Sequence, residues 1–406
     1  MKNVLWVSIA FPPKSDPECL QNAKYFKYLS IIEGIDINVV TSKIPTLFMP
    51  YDAQLESYVS KSQSKVEIKI AENKLTNFLI RKISPNILQN PDSKFTFHWQ
   101  WRQVTRQITT KPDVIYSRSF PLSSSIMALK LKKFYQVPWV MHLSDPWADS
   151  PLHAYTGETY ISHKKMEKEC FENADKICLT SNLTIEHYKI LYPNYKHKFV
   201  LFPNVFDNDD ILKSEFVFEK KLKFVYTGGL VEERSPKVLF ETLDEMFTYN
   251  SSLFDNVEFL FAGALDRYNK GLFDSCTLPF VKHLGEMPFK NALALQRNAD
   301  VLLVIDNPIK DPRQAMYFPS KLLDYMTAKR RVLAITSKNS SSWEIIEKGL
   351  GDVVEHKNKE LLKEYISRAI NAFTAKRRGY FEISHIDPLY DAEYNAKRLA
   401  QIIETL

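Results

Sequence analysis

The sequence predicts an α/β protein built from two Rossmann-like, doubly wound parallel-sheet domains, and three observations predict it. Short apolar runs that read as strands alternate with longer amphipathic runs that read as helices. The strand runs, among them NVLWVSIA, VPWVM and DVLLVI, are apolar at consecutive rather than alternate positions, which suits parallel strands covered on both faces. Around NVFDNDDILKSEFVFEKK the periodicity lapses and charge dominates, as expected of a linker between two packed units.

Taken in order, NVLWVSIA is a strand, CLQNAKYFKYLSIIE a helix and DINVVTS a strand. PDVIYSRS and VPWVMHL are strands flanking the helical SSSIMALKLKKFYQ; ADKICLTS precedes the helical LTIEHYKILY, and KFVLFPN closes the first set. The second set runs KLKFVYTGG (strand), PKVLFETLDEMFTY (helix), NVEFLFAG (strand), NALALQRNA (helix), DVLLVID (strand), FPSKLLDYM (helix) and RVLAITS (strand). KELLKEYISRAINAFT and YDAEYNAKRLAQIIETL are amphipathic helices. The expected division is a first domain over 1–208, a linker over 209–221, a second domain over 222–378, and C-terminal helices over 379–406 that cross back to the first domain. Two such halves would face each other across a cleft, with ligands beyond the carboxyl ends of the strands.

Composition excludes several classes. The 406 residues are 45% hydrophobic and 13% aromatic, ample for packed cores. The net charge of +6 comes from 54 basic and 48 acidic residues interleaved along the chain, unlike a nucleic-acid binder with a basic face. Cys19, Cys170, Cys178 and Cys276 are scattered without metal-ligand spacing, so they read as reduced thiols in a cytosol-like compartment. MKNVLWVSIAFPPK lacks a small-residue cleavage pattern and reads as a core strand, not a signal peptide. No window reaches the roughly 18 to 20 apolar residues of a membrane span. Any work at a membrane would therefore be done from its surface.

Two stretches of the second domain share one arrangement. In FVYTGGLVEERSPK, Gly228 and Gly229 end a strand, Ser235 and Pro236 supply an N-cap and first helical residue, and Lys237 follows. In YFPSKLLDYM, Pro319 opens a helix and Lys321 lies in its first turn, where the helix dipole disfavours a cation. Arg234 and Lys321, with helix-start amides, would hold a diphosphate. The simpler reading is a solvated lysine paired with Asp324 three residues on.

In the first domain, His142, Asp145 and Trp147 of HLSDPWADS follow a buried strand, and Lys14, Ser15 and Asp16 of FPPKSDP stand at the equivalent mouth of the first strand. Catalysis or acceptor binding competes there with capping by Asp145 and packing by Trp147. The Asp-x-Asp within FDNDD could hold a metal, but acidic residues in a linker are more often simply solvated. Lys130, Lys132 and Lys133 of ALKLKKFY, and the lysines of SHKKMEKE, could rest on an anionic lipid surface or form an ordinary solvated helix face.

Nearly end to end, the ordered set KPDVIYSRSFPLSSSIMALKLKK, VPWVMHLSDPW, ENADKICLTSN, FPNVFD, FVYTGGLVEERSPKVLFETL, FLFAG, LGEMP, NADVLLVI and FPSKLLDYMTAKRRVLAI resembles the family 4 glycosyltransferases of GT-B fold, of the bacterial cell-surface polysaccharide type. The resemblance implies a retaining, metal-independent hexosyltransferase, cytoplasmic and peripheral on the inner face of the membrane. Its co-substrate would be a nucleotide diphospho-sugar, with no other cofactor, and its acceptor a lipid-linked or polysaccharide glycan. Gly228, Gly229, Arg234, Lys237, Phe318, Pro319, Ser320 and Lys321 would line the donor, and Asp324 would bind the ribose hydroxyls. Arg234 and Lys321 would stabilise the departing diphosphate, with Asp145 and His142 as catalytic candidates in the first domain. Lys14, Ser15, Asp16 and Trp147 would meet the acceptor. The chain departs from the family at Met316, which stands where the first of two paired glutamates is expected, and at Ser144, which replaces the histidine of an HD pattern. A sugar-nucleotide epimerase of the same architecture and a non-catalytic scaffold are the alternatives.

Overall fold

Thirteen short strands assemble into two separate sheets in the computed structural model, which describes residues 1–406 except 45–48, 84, 151, 152, 154, 212, 214, 215 and 384. The first sheet contains β1 (Lys2–Val7), β2 (Ile35–Ser42), β3 (Ser64–Ile68), β4 (Val114–Ser119), β5 (Trp139–Leu143), β6 (Lys176–Leu179) and β7 (Phe199–Leu201) in the order β3-β2-β1-β4-β5-β6-β7. The second contains β8 (Leu222–Thr227), β9 (Val257–Ala262), β10 (Val281–His283), β11 (Val301–Ile305), β12 (Arg331–Ile335) and β13 (Gly351–Val354) in the order β10-β9-β8-β11-β12-β13. Every pairing between these strands is parallel. The doubly wound class expected from the sequence is therefore the one found, in both halves.

The central strands are buried along their whole length, VIYSRS, WVMHL and VLLVI among them, because helices cover both faces. The strands absent from the sequence reading, β3, β10 and β13, lie at sheet edges. There a strand need be neither long nor apolar, and SKVEI, VKH and GDVV carry no continuous apolar run.

The chain divides into a unit of Met1–Asp207, Met316–Phe318 and Pro388–Leu406 and a unit of Asn208–Ala315 and Pro319–Asp387. The C-terminal helix Ala392–Thr405, capped by Asp391 accepting from the Tyr394 amide at 2.8 Å, thus completes the first unit. Its face of Ala392, Ala396, Leu399, Ala400 and Ile403 joins the core formed by Val4, Trp6, Tyr25 and Phe26. A separate core in the second unit gathers Phe224, Tyr226, Leu239, Phe259 and Phe261 around β8 and β9.

Five of the six tryptophans (Trp6, Trp99, Trp101, Trp139 and Trp147) lie in the first unit, so tryptophan fluorescence reports chiefly on that unit. Leu399 is fully buried on the C-terminal helix. Leu399→Ala is expected to destabilise the first unit by ~2–4 kcal/mol through lost transfer energy and an unfilled cavity. Urea unfolding followed by tryptophan fluorescence checks this; an unchanged midpoint would show that the helix contributes little.

Candidate functional site

Strand order reverses at β8, whose neighbours β9 and β11 lead to opposite edges of the second sheet. Just past the carboxyl ends at such a reversal, the helices turn to opposite faces and leave a crevice. Gly228 ends β8 with φ +124°, and a Cβ there would stand 3.3 Å from the Lys321 Nζ. Gly263 ends β9 with φ +139°, where a Cβ would come within 2.2 Å of the Gly228 carbonyl oxygen. Both backbones must be bare for the strand ends to come together beside the lysine.

The loop after β8 is fastened from the loop after β9. Asp266 accepts from the Glu232 amide at 2.7 Å and caps the helix Arg267–Asp274 by accepting from the Asn269 amide at 2.8 Å. Asn269 Nδ2 donates to the Arg234 carbonyl at 3.4 Å. Arg234 is thereby held on a stiff turn, and its Nε is buried without a hydrogen-bond partner among the described residues.

Lys321 is the first residue of the helix Lys321–Ala328. The expectation that Pro319 opens this helix is off by two residues: Leu322 N donates to Pro319 O at 3.0 Å and Leu323 N to Ser320 O at 3.1 Å, a tighter i to i+3 lead-in. Pro236 likewise stands one place outside the helix Lys237–Tyr249, with Ser235 Oγ accepting from the Lys237 amide at 3.3 Å. Lys321 Nζ lies 3.1 Å from the Tyr226 hydroxyl, to which it donates, and 4.2 Å from that ring's centre. The same hydroxyl donates to the Gly229 carbonyl at 3.0 Å. Burial and the Arg234 charge bring the Lys321 pKa down to about 8, with Asp306 at the end of β11 acting the other way. A cation lifted out of water beside a second cation is the electrostatic mark of an anion site.

The remaining expected donor residues are distributed as follows. Lys237 is exposed, with Glu241 at 4.0 Å. Asp324 is half-buried in the first turn after Lys321, and Ser320 is exposed. Phe318 belongs to the first unit, with its ring 5.8 Å from Tyr390. Met316, also of that unit, is buried, and its carbonyl accepts from Ser181 Oγ at 2.8 Å and Thr184 Oγ1 at 3.3 Å. Tyr226, Asp306, Asn307 and His356 were not among the residues the sequence singled out. A tyrosine inside an apolar strand run, and polar residues on irregular loops, carry no local signal of what they face.

In the first unit, Arg118 near the end of β4 is fully buried and spends its guanidinium on three partners: Glu18 at 2.6 Å, Asn204 at 2.8 Å and His142 Nδ1 at 3.3 Å. His142 Nδ1 also accepts from the Tyr116 hydroxyl at 2.8 Å and its Nε2 donates to the Phe202 carbonyl at 3.1 Å. Burial and the Arg118 charge hold this ring neutral, with both nitrogens occupied. Asp145 differs. It is half-buried, it has no hydrogen-bond partner among the described residues, and burial raises its pKa to about 6 against the pull of Arg118. Burial likewise raises Glu18 to about 7, with Arg118 opposing and Asp145 adding to the rise.

The expected acceptor residues are engaged locally. Lys14 is buried, donating to Ser42 O at 2.8 Å and Thr41 Oγ1 at 3.2 Å; Ser15 donates to Pro50 O at 3.3 Å. Asp16 caps the helix Pro17–Leu29 through the Cys19 amide at 2.8 Å, and fully buried Trp147 donates to His163 Nδ1 at 2.9 Å. Lys132 and Lys133 form ion pairs of 2.6 Å with Asp175 and Glu169, and Lys130 donates to the His98 carbonyl at 3.3 Å. Among the described residues no helix is long and apolar enough to cross a membrane.

No protein-family model and no curated protein sequence matches the chain. Solved structures do match its backbone. HepE of Anabaena, in complex with UDP and glucose, is similar with a TM-score of 0.64 at 13% identity, over 100% of both chains. Sucrose-phosphate synthase of Thermosynechococcus elongatus gives a TM-score of 0.65 at 14% identity, over 100% of this chain and 99% of that one. The lipopolysaccharide outer core galactosyltransferase WaaB gives 0.59 at 14% identity over 100% of both. The fold is the GT-B fold. Within it, the cation pair sits at the carboxyl edge of the second sheet.

The lowered Lys321 pKa is open to direct measurement. Amine labelling read by mass spectrometry should find Lys321 half-reactive near pH 8, well below the exposed lysines, while Arg234→Gln, by removing the neighbouring like charge, moves its midpoint upward. A Lys321 that titrates with the surface lysines would refute the electrostatic account.

Proposed function

We propose that the chain is a glycosyltransferase moving one sugar from a nucleotide diphospho-sugar to a hydroxyl of a lipid-linked or surface-glycan acceptor, with retention at the anomeric carbon and without a metal. The observation that carries this reading is the pairing of Lys321 with Arg234 over Tyr226, beside the bare Gly228 backbone. Two like charges stand together there with Asp306 as the carboxylate acting on Lys321, and a diphosphate supplies further negative charge and the acceptor oxygens. Several proteins of similar fold are described with such ligands: HepE with UDP-glucose, and an E. coli protein with UDP-2-fluoro glucose.

In this reading the bond from the anomeric carbon to the diphosphate breaks with its electron pair moving onto the diphosphate, where Arg234 and Lys321 stabilise it. The acceptor oxygen bonds to the anomeric carbon, and its proton passes to the departing diphosphate. Asp324 binds the ribose hydroxyls from the same helix as Lys321. Asp145, half-buried and with no hydrogen bond among the described residues, is the first unit's residue for orienting the acceptor hydroxyl. His142, enclosed on both nitrogens, supports Arg118 instead. The protein works on the cytoplasmic side of a membrane surface, where lipid-linked acceptors are presented. Sedimentation with anionic vesicles tests that part of the reading, which fails if the protein stays in the supernatant.

Thermal stabilisation across a panel of UDP, GDP, ADP and CMP sugars identifies the donor. With it, Arg234→Ala and Lys321→Ala should each retain the fold and lower transfer by ~100-fold, the scale of losing one preorganised electrostatic donor. Asp324→Ala should chiefly weaken nucleotide binding by calorimetry. Near-normal turnover in either cation variant would sink the assignment, and unchanged affinity in Asp324→Ala would remove the ribose role.

A further inference from the structure

Beside the cation pair lies a second group of polar atoms that an anion alone cannot satisfy. Arg234 Nε, Asn307 Oδ1 and His356 Nε2 are buried without hydrogen-bond partners among the described residues. They stand on the loops after β8, β11 and β13, at one edge of one sheet. These loops are drawn together. Lys310 pairs with Glu233 at 2.6 Å, joining the loop after β11 to the loop after β8. Ile309 N donates to Ser337 Oγ at 3.0 Å and Thr336 Oγ1 donates to Asp306 Oδ2 at 2.8 Å, joining it to the end of β12. The Asp306 charge is felt by both Lys321 and His356, and Glu233 also acts on His356.

The unmet needs of these atoms define a ligand. Arg234 Nε can only donate, Asn307 Oδ1 can only accept, and a neutral imidazole nitrogen does one or the other. A diphosphate offers acceptors alone and leaves Asn307 unmet. A hydroxyl both donates and accepts, so a ring bearing several of them satisfies the whole set. We propose that Asn307 and His356, with Asp306, bind the hydroxyls of the donor's sugar and so determine which sugar is carried. This rests on the glycosyltransferase reading and assigns it residues that the sequence does not single out.

Calorimetry with UDP, GDP and ADP, and with their glucose, galactose and N-acetylglucosamine conjugates, separates the two. For the pair bound by the unaltered chain, Asn307→Leu and His356→Phe should lower affinity for the sugar conjugate about tenfold, the scale of one lost hydrogen bond that leaves its partner buried. Affinity for the parent diphosphate should stay within twofold, whereas Lys321→Ala should weaken both. If Asn307→Leu does not fold, Asn307→Ser, which shortens the side chain without adding an apolar group, is read in the same way. Equal losses for conjugate and parent, no loss for either, or diphosphate binding with no conjugate bound would overturn the sugar pocket and leave the cation pair standing. Failure of the unaltered chain to bind any of these probes would instead overturn the functional reading and the pocket with it.

Discussion

The second unit is organised around the cost of keeping two cations together out of water. Lys321 and Arg234 repel each other, and burial adds to the strain by removing the water that would screen them. Nothing in helix propensity favours a lysine at a helix start, where the macrodipole is also positive. The arrangement persists because the surroundings fix it. Tyr226 offers Lys321 both a ring face and a hydroxyl, two facing glycines let the strand ends close in, and Asp266 stiffens the turn that carries Arg234. An arriving anion would relieve the repulsion that folding created, which is how preorganised binding sites store their affinity.

The first unit handles its buried charges in the opposite way. Arg118, deeper than either cation of the second unit, is saturated by Glu18, Asn204 and His142, and His142 is in turn closed by Tyr116 and Phe202. Lys14 is met by Thr41 and Ser42, and Asp207 by Lys27 and Tyr28. Such networks hold a core in one arrangement and leave little for a ligand. Asp145 is the exception, partly open beside the Arg118 network.

What was legible in the sequence follows from range. Central strands announce themselves because burial on both faces forces apolar residues at consecutive positions, so the class of both sheets and the order of most elements could be read directly. Edge strands β3, β10 and β13 escape that constraint and were missed. Lys321 was visible because a cation breaks the local expectation at a helix start, and Arg234 because it precedes a second helix start with the same Pro-Lys pattern. Tyr226 breaks none, and Asp306, Asn307 and His356 lie on loops whose neighbours in space are 70 or more positions away from Arg234 in the chain. Lys14, Asp16, His142 and Trp147, singled out for their place at strand mouths, make internal hydrogen bonds that no local pattern announces.

Met316 gains a physical meaning from the same reasoning. The resemblance to family 4 places a carboxylate at this position, but the methionine side chain is buried and its carbonyl is taken by Ser181 and Thr184 of the first unit. The carboxylate that does act on Lys321 is Asp306, placed by the end of β11 and held by Thr336. Charge balance in the second unit therefore draws on a strand end rather than on the segment before the helix. A loss at 316 taken alone would look like a disabled site, whereas the position of Asp306 shows negative charge still supplied beside the lysine.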